Sequence, residues 1–174
     1  MKKIFVTILT IVVMLLFLWT QINVFNYFSL FGIIPNIGII LIISISMCAG
    51  KNIGAFLGIA YGVLYDSCFE TSFGLYTLLF GLLGYLVGFL KGKLALDNKL
   101  SLYIIVTIST IFIEIINVLF IHYKNSIFDI NNIYILKVMA LEVIYNVFLQ
   151  FLLYKPLMLL GDVINRSRRA YYEI

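Results

Sequence analysis

The stretch Gly54-Ala-Phe-Leu-Gly58-Ile-Ala-Tyr-Gly62-Val-Leu-Tyr-Asp66 sets a glycine at every fourth position of an apolar run and closes on an aspartate. Spacing of four places the glycines on one face of a helix. With Gly50 ahead of them they form a groove that another helix can enter closely. Such grooves matter in lipid, which gives helices no hydrophobic reason to associate. A second ladder follows as Gly81, Gly84, Gly88 and Gly92, with Gly74 leading it. The two segments are expected to pack as a hairpin turning at 66–72. Four glycines in a row exceed what one hairpin contact requires, so one ladder is also a candidate groove for a partner's helix.

Outward from this hairpin the whole chain is apolar. Of its 174 residues, 63% are hydrophobic and 11% charged, and the mean hydropathy is +1.11. Soluble domains carry about a quarter charged residues, so this is an all-α polytopic membrane protein with one domain, 1–174. Six transmembrane spans are expected at 4–22, 33–50, 53–70, 73–91, 101–121 and 134–160, followed by a basic tail, 161–174. Lys155-Pro156 lies in the last span, so a kink near Pro156 and a continuation towards Arg166 are expected. An odd number of spans would arise only if 53–91 formed a re-entrant pair. Lys2-Lys3 and the apolar run after them lack a small-residue cleavage site, so an uncleaved first span is expected.

Charge orients the bundle. Of the 12 Lys and Arg residues, all but Lys124 and Lys137 fall on one side of this threading. The positive-inside bias then puts both termini in the cytoplasm. The net charge of +4 sits in short loops beside spans, which indicates anionic lipid as the partner and not nucleic acid. Trp19, Tyr27, Phe28, Phe31 and Tyr123 mark the outer interface. Cys48 and Cys68 end spans on opposite sides and cannot form a disulfide within one chain.

The outer loops are too short for a catalytic ectodomain, so function lies in the bundle or in its outer surfaces. No zinc-protease, phosphate-loop or nucleophile-elbow motif is present. His122 stands alone, and no cofactor or metal site is expected. Ionisable groups within a span cost about 2.5–3.5 kcal/mol at its centre and call for a reason. Glu114 and Asn117 share a face of span five, and Glu142, Asn146 and Gln150 form a stripe on span six. This polar set reads either as interhelical hydrogen bonding or as a ligand pocket or proton path.

Phe31-Gly32-Ile33-Ile34-Pro35-Asn36, the run Gly54-x3-Gly58-x3-Gly62-x3-Asp66, Gly74 and Gly84-Tyr85-x2-Gly88 resemble, in order, the rod shape-determining protein MreD family. The resemblance covers about residues 31–92, while spans five and six match in hydropathy alone. It singles out Pro35, Asn36, Asp66 and Tyr85, with Asn36 and Asp66 expected to meet near the outer surface. It implies a non-enzymatic protein of the bacterial inner membrane that acts as a scaffold or regulator of lateral peptidoglycan synthesis and cell shape. The partners it implies are the bitopic protein MreC, and with it the MreB filament, a SEDS glycan polymerase and a penicillin-binding transpeptidase. The alternative is the substrate-binding subunit of an energy-coupling-factor vitamin transporter, whose fold this family resembles. Those subunits carry small residues at a spacing of four on the first span, where 4–19 has neither Gly nor Ala.

Overall fold

The structure is a computed structural model that describes residues 2–25, 27, 29, 32–69, 74–93, 99–125 and 132–172. Those residues form six helices, α1 (Lys2–Asn23), α2 (Ile37–Ala49), α3 (Lys51–Phe69), α4 (Leu75–Phe89), α5 (Lys99–Asn125) and α6 (Asn132–Tyr172). All six stand where spans were expected, yet their lengths differ from expectation. Three carry stretches long and apolar enough to cross a bilayer, namely Ile4–Asn23, Leu100–Phe120 and Ile135–Ser167. The α2 and α4 helices are apolar but have only 13 and 15 residues. At 1.5 Å per residue they reach about 20 Å, short of a hydrocarbon core of about 30 Å.

Local chemistry explains the shortening. Pro35 lacks a backbone donor and disfavours helix in the residue before it, so α2 begins only after Asn36 (φ −96°, ψ 88°). It stops at Gly50, whose φ of +93° is left-handed backbone that glycine adopts at little cost. Gly74 (φ +104°) delays α4 in the same way. The α6 helix departs in the other direction and runs through Pro156 to Tyr172, a 41-residue element. The continuation expected beyond Pro156 is thus helix throughout.

Every residue of α2 is buried. A helix that is apolar on all sides belongs in the centre of a bundle, and α2 touches all the other helices. Ile39, Ile40, Ile43 and Met47 form the core with Tyr61 of α3 and Phe80 of α4. Gly38 leaves the space that the Tyr61 ring and Asn36 Oδ1 fill.

Side-chain pairs fix the directions. Thr110 meets Asn146 across antiparallel α5 and α6, whereas Asn36, Ser44 and Cys48 meet Asn146, Gln150 and Met158 along parallel α2 and α6. Gln21, near the end of α1, meets the start of α2. Successive helices therefore alternate in direction. Lys51, Lys91 and Lys93 gather at one end of the bundle with Asn165 of α6, to whose Oδ1 Lys91 Nζ donates at 2.9 Å. Cys48 is buried and Cys68 exposed, both unbridged. The side chains of His122 and Lys124, and residues Phe28, Phe31 and Glu70, lie outside the described set.

The hairpin is the tightest contact in the fold. A Cβ on Gly54 would strike Gly84 O, one on Gly58 would strike Phe80 O, and one on Gly62 would strike the backbone of Thr77. Gly84 and Gly88 answer from α4, against Gly54 and Lys51 backbone, while Gly81 faces the Ile59 side chain. Gly58→Ala therefore pushes a methyl into backbone that cannot yield unless the helices part. It should cost about 1–3 kcal/mol, as overpacking does, read as a lower thermal midpoint in detergent. A midpoint equal to wild type would contradict this packing.

Candidate functional site

Asp66 is buried near the end of α3, and its carboxylate receives four hydrogen bonds from the start of α4. Gly74 N and Thr77 N donate to Oδ2 at 3.0 and 2.9 Å, Thr77 Oγ1 donates to Oδ2 at 2.6 Å, and Tyr76 N donates to Oδ1 at 3.1 Å. The first amides of a helix have no partner within it, and the helix dipole favours an anion there. The N-cap residue Gly74 has no side chain to offer, so the cap comes from the other arm of the hairpin. Asp66 is thus fully engaged by α4. The expected meeting of Asn36 with Asp66 is replaced by contacts of Asn36 to α6.

A second cap holds α2. Gln21 lies near the end of α1, donating from Nε2 to Pro35 O at 2.8 Å and accepting at Oε1 from Ile37 N at 3.0 Å. Asn146 Oδ1 accepts from Asn36 N at 2.9 Å, and its Nδ2 donates to Thr110 Oγ1 at 3.0 Å. One carboxamide therefore ties α2, α5 and α6 together. A turn further along α6, Gln150 pairs with Ser44 of α2, Nε2 donating at 3.3 Å.

The stripe continues towards the other end of α6. Glu142 is buried and makes side-chain hydrogen bonds with Glu114 and Asn146. Asn117 Nδ2 donates to Tyr76 Oη at 2.8 Å and to Glu114 Oε1 at 3.2 Å, which links α5 to the capped start of α4. Tyr76 packs tilted against Tyr65 at 4.5 Å between centroids, and Tyr65 stacks with Phe69 at 4.3 Å. Lys137, a turn ahead of Glu142, is exposed.

Of the polar set expected in spans five and six, Glu114, Asn117, Glu142 and Asn146 therefore form one network that reaches α2 and α4, while Gln150 pairs with Ser44 apart from it. Three buried atoms among the described residues stand outside it without a partner: Asn36 Oδ1, Ser46 Oγ and Tyr61 Oη. Thr110 and Tyr76 belong to this network, and Gln21 and Ser44 make polar contacts of their own to α2 and α6, although nothing in their spacing marks them. Gln21 carried one usable signal, a carboxamide at the end of an apolar run two residues from Asn23. Of the motif residues, Pro35 and Asn36 open α2, whereas Tyr85 is exposed on the outward face of α4. The glycine groove considered for a partner's helix is occupied by the opposite arm of the hairpin, since each ladder packs on the other's backbone.

Removing an acceptor from buried amides costs about 1–3 kcal/mol per orphaned group. Asp66→Ala and Asn146→Leu should both lower the thermal midpoint, with Asp66→Ala the more severe because it orphans several donors. Equal midpoints for Asp66→Ala and wild type would contradict the cap. Glu142→Gln keeps the size and hydrogen-bonding capacity of the side chain, and should leave stability within about 1 kcal/mol. A folded Glu142→Gln protein that fails to complement loss of the native protein in the cell would instead give that carboxyl a role beyond packing.

The family model described as rod shape-determining protein MreD matches residues 1–161. The match takes in α5 and most of α6, well beyond the motif-bearing 31–92, and leaves out the basic end of α6. No curated protein and no solved structure matches the chain. With its hairpin, its spans and nearly all its length inside one family model, this membrane protein belongs to the rod shape-determining protein MreD family.

Proposed function

We propose that the protein is a non-enzymatic scaffold of the rod complex in the bacterial inner membrane, crossing six times with both ends in the cytoplasm. In this reading it binds MreC and, through it, helps control lateral peptidoglycan synthesis alongside MreB, a glycan polymerase and a transpeptidase. Family membership supports a role in shape determination. The observation that carries the rest is where the chemistry-bearing groups point. Asp66, Glu114, Asn117, Glu142, Asn146 and Gln150 use their hydrogen bonds on neighbouring helices. What the bundle offers outward is apolar surface.

One part of that surface is concave. A groove of about 380 Å³ runs between α1 and α6, lined by Leu9, Val13, Phe17, Leu153, Pro156 and Val163 among other apolar side chains. Pro156 cannot donate to the preceding turn, and a proline in a membrane helix commonly marks a site where neighbours adjust. The single span of a bitopic partner fits such a groove better than it fits the closed glycine hairpin. The transporter reading would instead need polar side chains turned to a ligand, whereas the stripe on α6 faces α2 and α5.

A photoreactive residue at Leu9 or Leu159 should crosslink to MreC in living cells, and one at Ile108 on the outward face of α5 should not. Crosslinks at Ile108 alone would move the contact elsewhere. Purification from native membranes that yields ATPase subunits and a vitamin, without MreC, would replace the scaffold reading with the transporter.

A further inference from the structure

At the basic end of the bundle two lysines converge on one aromatic ring. Lys93 Nζ lies 3.7 Å from the centroid of Phe89, and Lys51 Nζ lies 5.8 Å from the same ring and 5.9 Å from that of Tyr85. Ammonium groups within about 6 Å of a ring are attracted to its face, so both charges are held against the hairpin instead of trailing into water. Lys51 and Lys93 are exposed, and neither is ion-paired among the described residues. The nearby Lys91 differs, since it is turned towards Asn165 of α6. Lys51 is also the first residue of α3, where the helix dipole adds positive potential.

Below the two ammonium groups runs an apolar row. Leu78, Leu82, Tyr85 and Phe89 recur at spacings of three and four, which puts them on one face of α4, and all are exposed. Two cations at one end of an exposed apolar stripe match a phosphate headgroup with a hydrocarbon tail. A free phosphate would make no use of the stripe, and a neutral lipid none of the charges.

We propose that Lys51, Phe89 and Lys93, with the row Leu78, Leu82 and Tyr85, form a binding site for one anionic phospholipid. Its phosphate sits between the two ammonium groups, and an acyl chain lies along α4. The site is separate from the α1–α6 groove and does not depend on which protein partner occupies that groove. It gives the glycine hairpin an outward role, because the hairpin's close approach is what brings Lys51 of α3 over a ring of α4. The site also fixes the depth of the short α4 helix at the headgroup layer.

The test is native mass spectrometry of the full-length protein in detergent, titrated with cardiolipin, phosphatidylglycerol or phosphatidylcholine, and with inorganic phosphate as competitor. Both anionic lipids should be retained about twenty-five-fold better than phosphatidylcholine, with loss of about fivefold for each lysine removed. K51Q/K93Q should therefore approach the retention of phosphatidylcholine, while K137Q at the far end of the bundle should match wild type. Should the double variant aggregate, K93Q alone gives the same reading through its single step. Phe89→Leu, which keeps both charges and loses the ring that holds them, should fall between. Wild-type retention by K51Q/K93Q or K93Q, equal retention of phosphatidylcholine, or displacement of the lipid by millimolar phosphate would each overturn the proposal.

Discussion

Two helices in this bundle, α2 and α4, start at residues whose own side chains do not cap them. The first amides of any helix lack partners within it, and in a dry interior each orphan costs several kcal/mol. The chain meets that constraint with side chains from neighbouring elements. Gln21 of α1 and Asn146 of α6 close the start of α2, and Asp66 of α3 closes the start of α4. Asp66 and Asn146, costly within a span on their own, thus complete the starts of α4 and α2. Removing one of them removes a helix start as well as a hydrogen bond.

Packing follows from the same arrangement. Buried along its whole length, α2 sits inside the bundle as an isoleucine-rich rod against which the other helices pack. The α3–α4 hairpin then closes through backbone contact at Gly54, Gly58, Gly62 and Gly84, where only hydrogen atoms separate the main chains. Dispersion and close approach, not water exclusion, hold such a contact together in lipid. With both the polar groups and the glycines facing inward, the outer faces of α1, α4, α5 and α6 are left apolar. Recognition by a partner span or a lipid therefore has to use shape, and charge only at the ends.

Much of this was legible before any coordinates. Six helices, the hairpin and the stripe on span six follow from periodicity, which is a property of one chain segment at a time. The termini of α2 were less legible, because a run of isoleucines continues the hydropathy signal across Ile33 and Ile34 although Pro35 keeps them out of the helix. The partner of Asp66 was misjudged for a different reason. Motif order sets Asn36 and Asp66 side by side in a pattern, but the distance between them depends on how three helices cross. Thr110 was invisible as a network member, since an isolated polar residue on an apolar helix gains meaning only from what stands opposite.

Capping of α2 from outside itself is read directly by amide hydrogen exchange in nanodiscs. The amides of Asn36 and Ile37 should be protected in the native protein although they open a helix. Gln21→Leu should release Ile37 selectively and leave Asn36, held by Asn146, protected. If Asn36 and Ile37 exchange as fast as exposed loop amides in the native protein, α2 is not anchored in this way and the central claim fails.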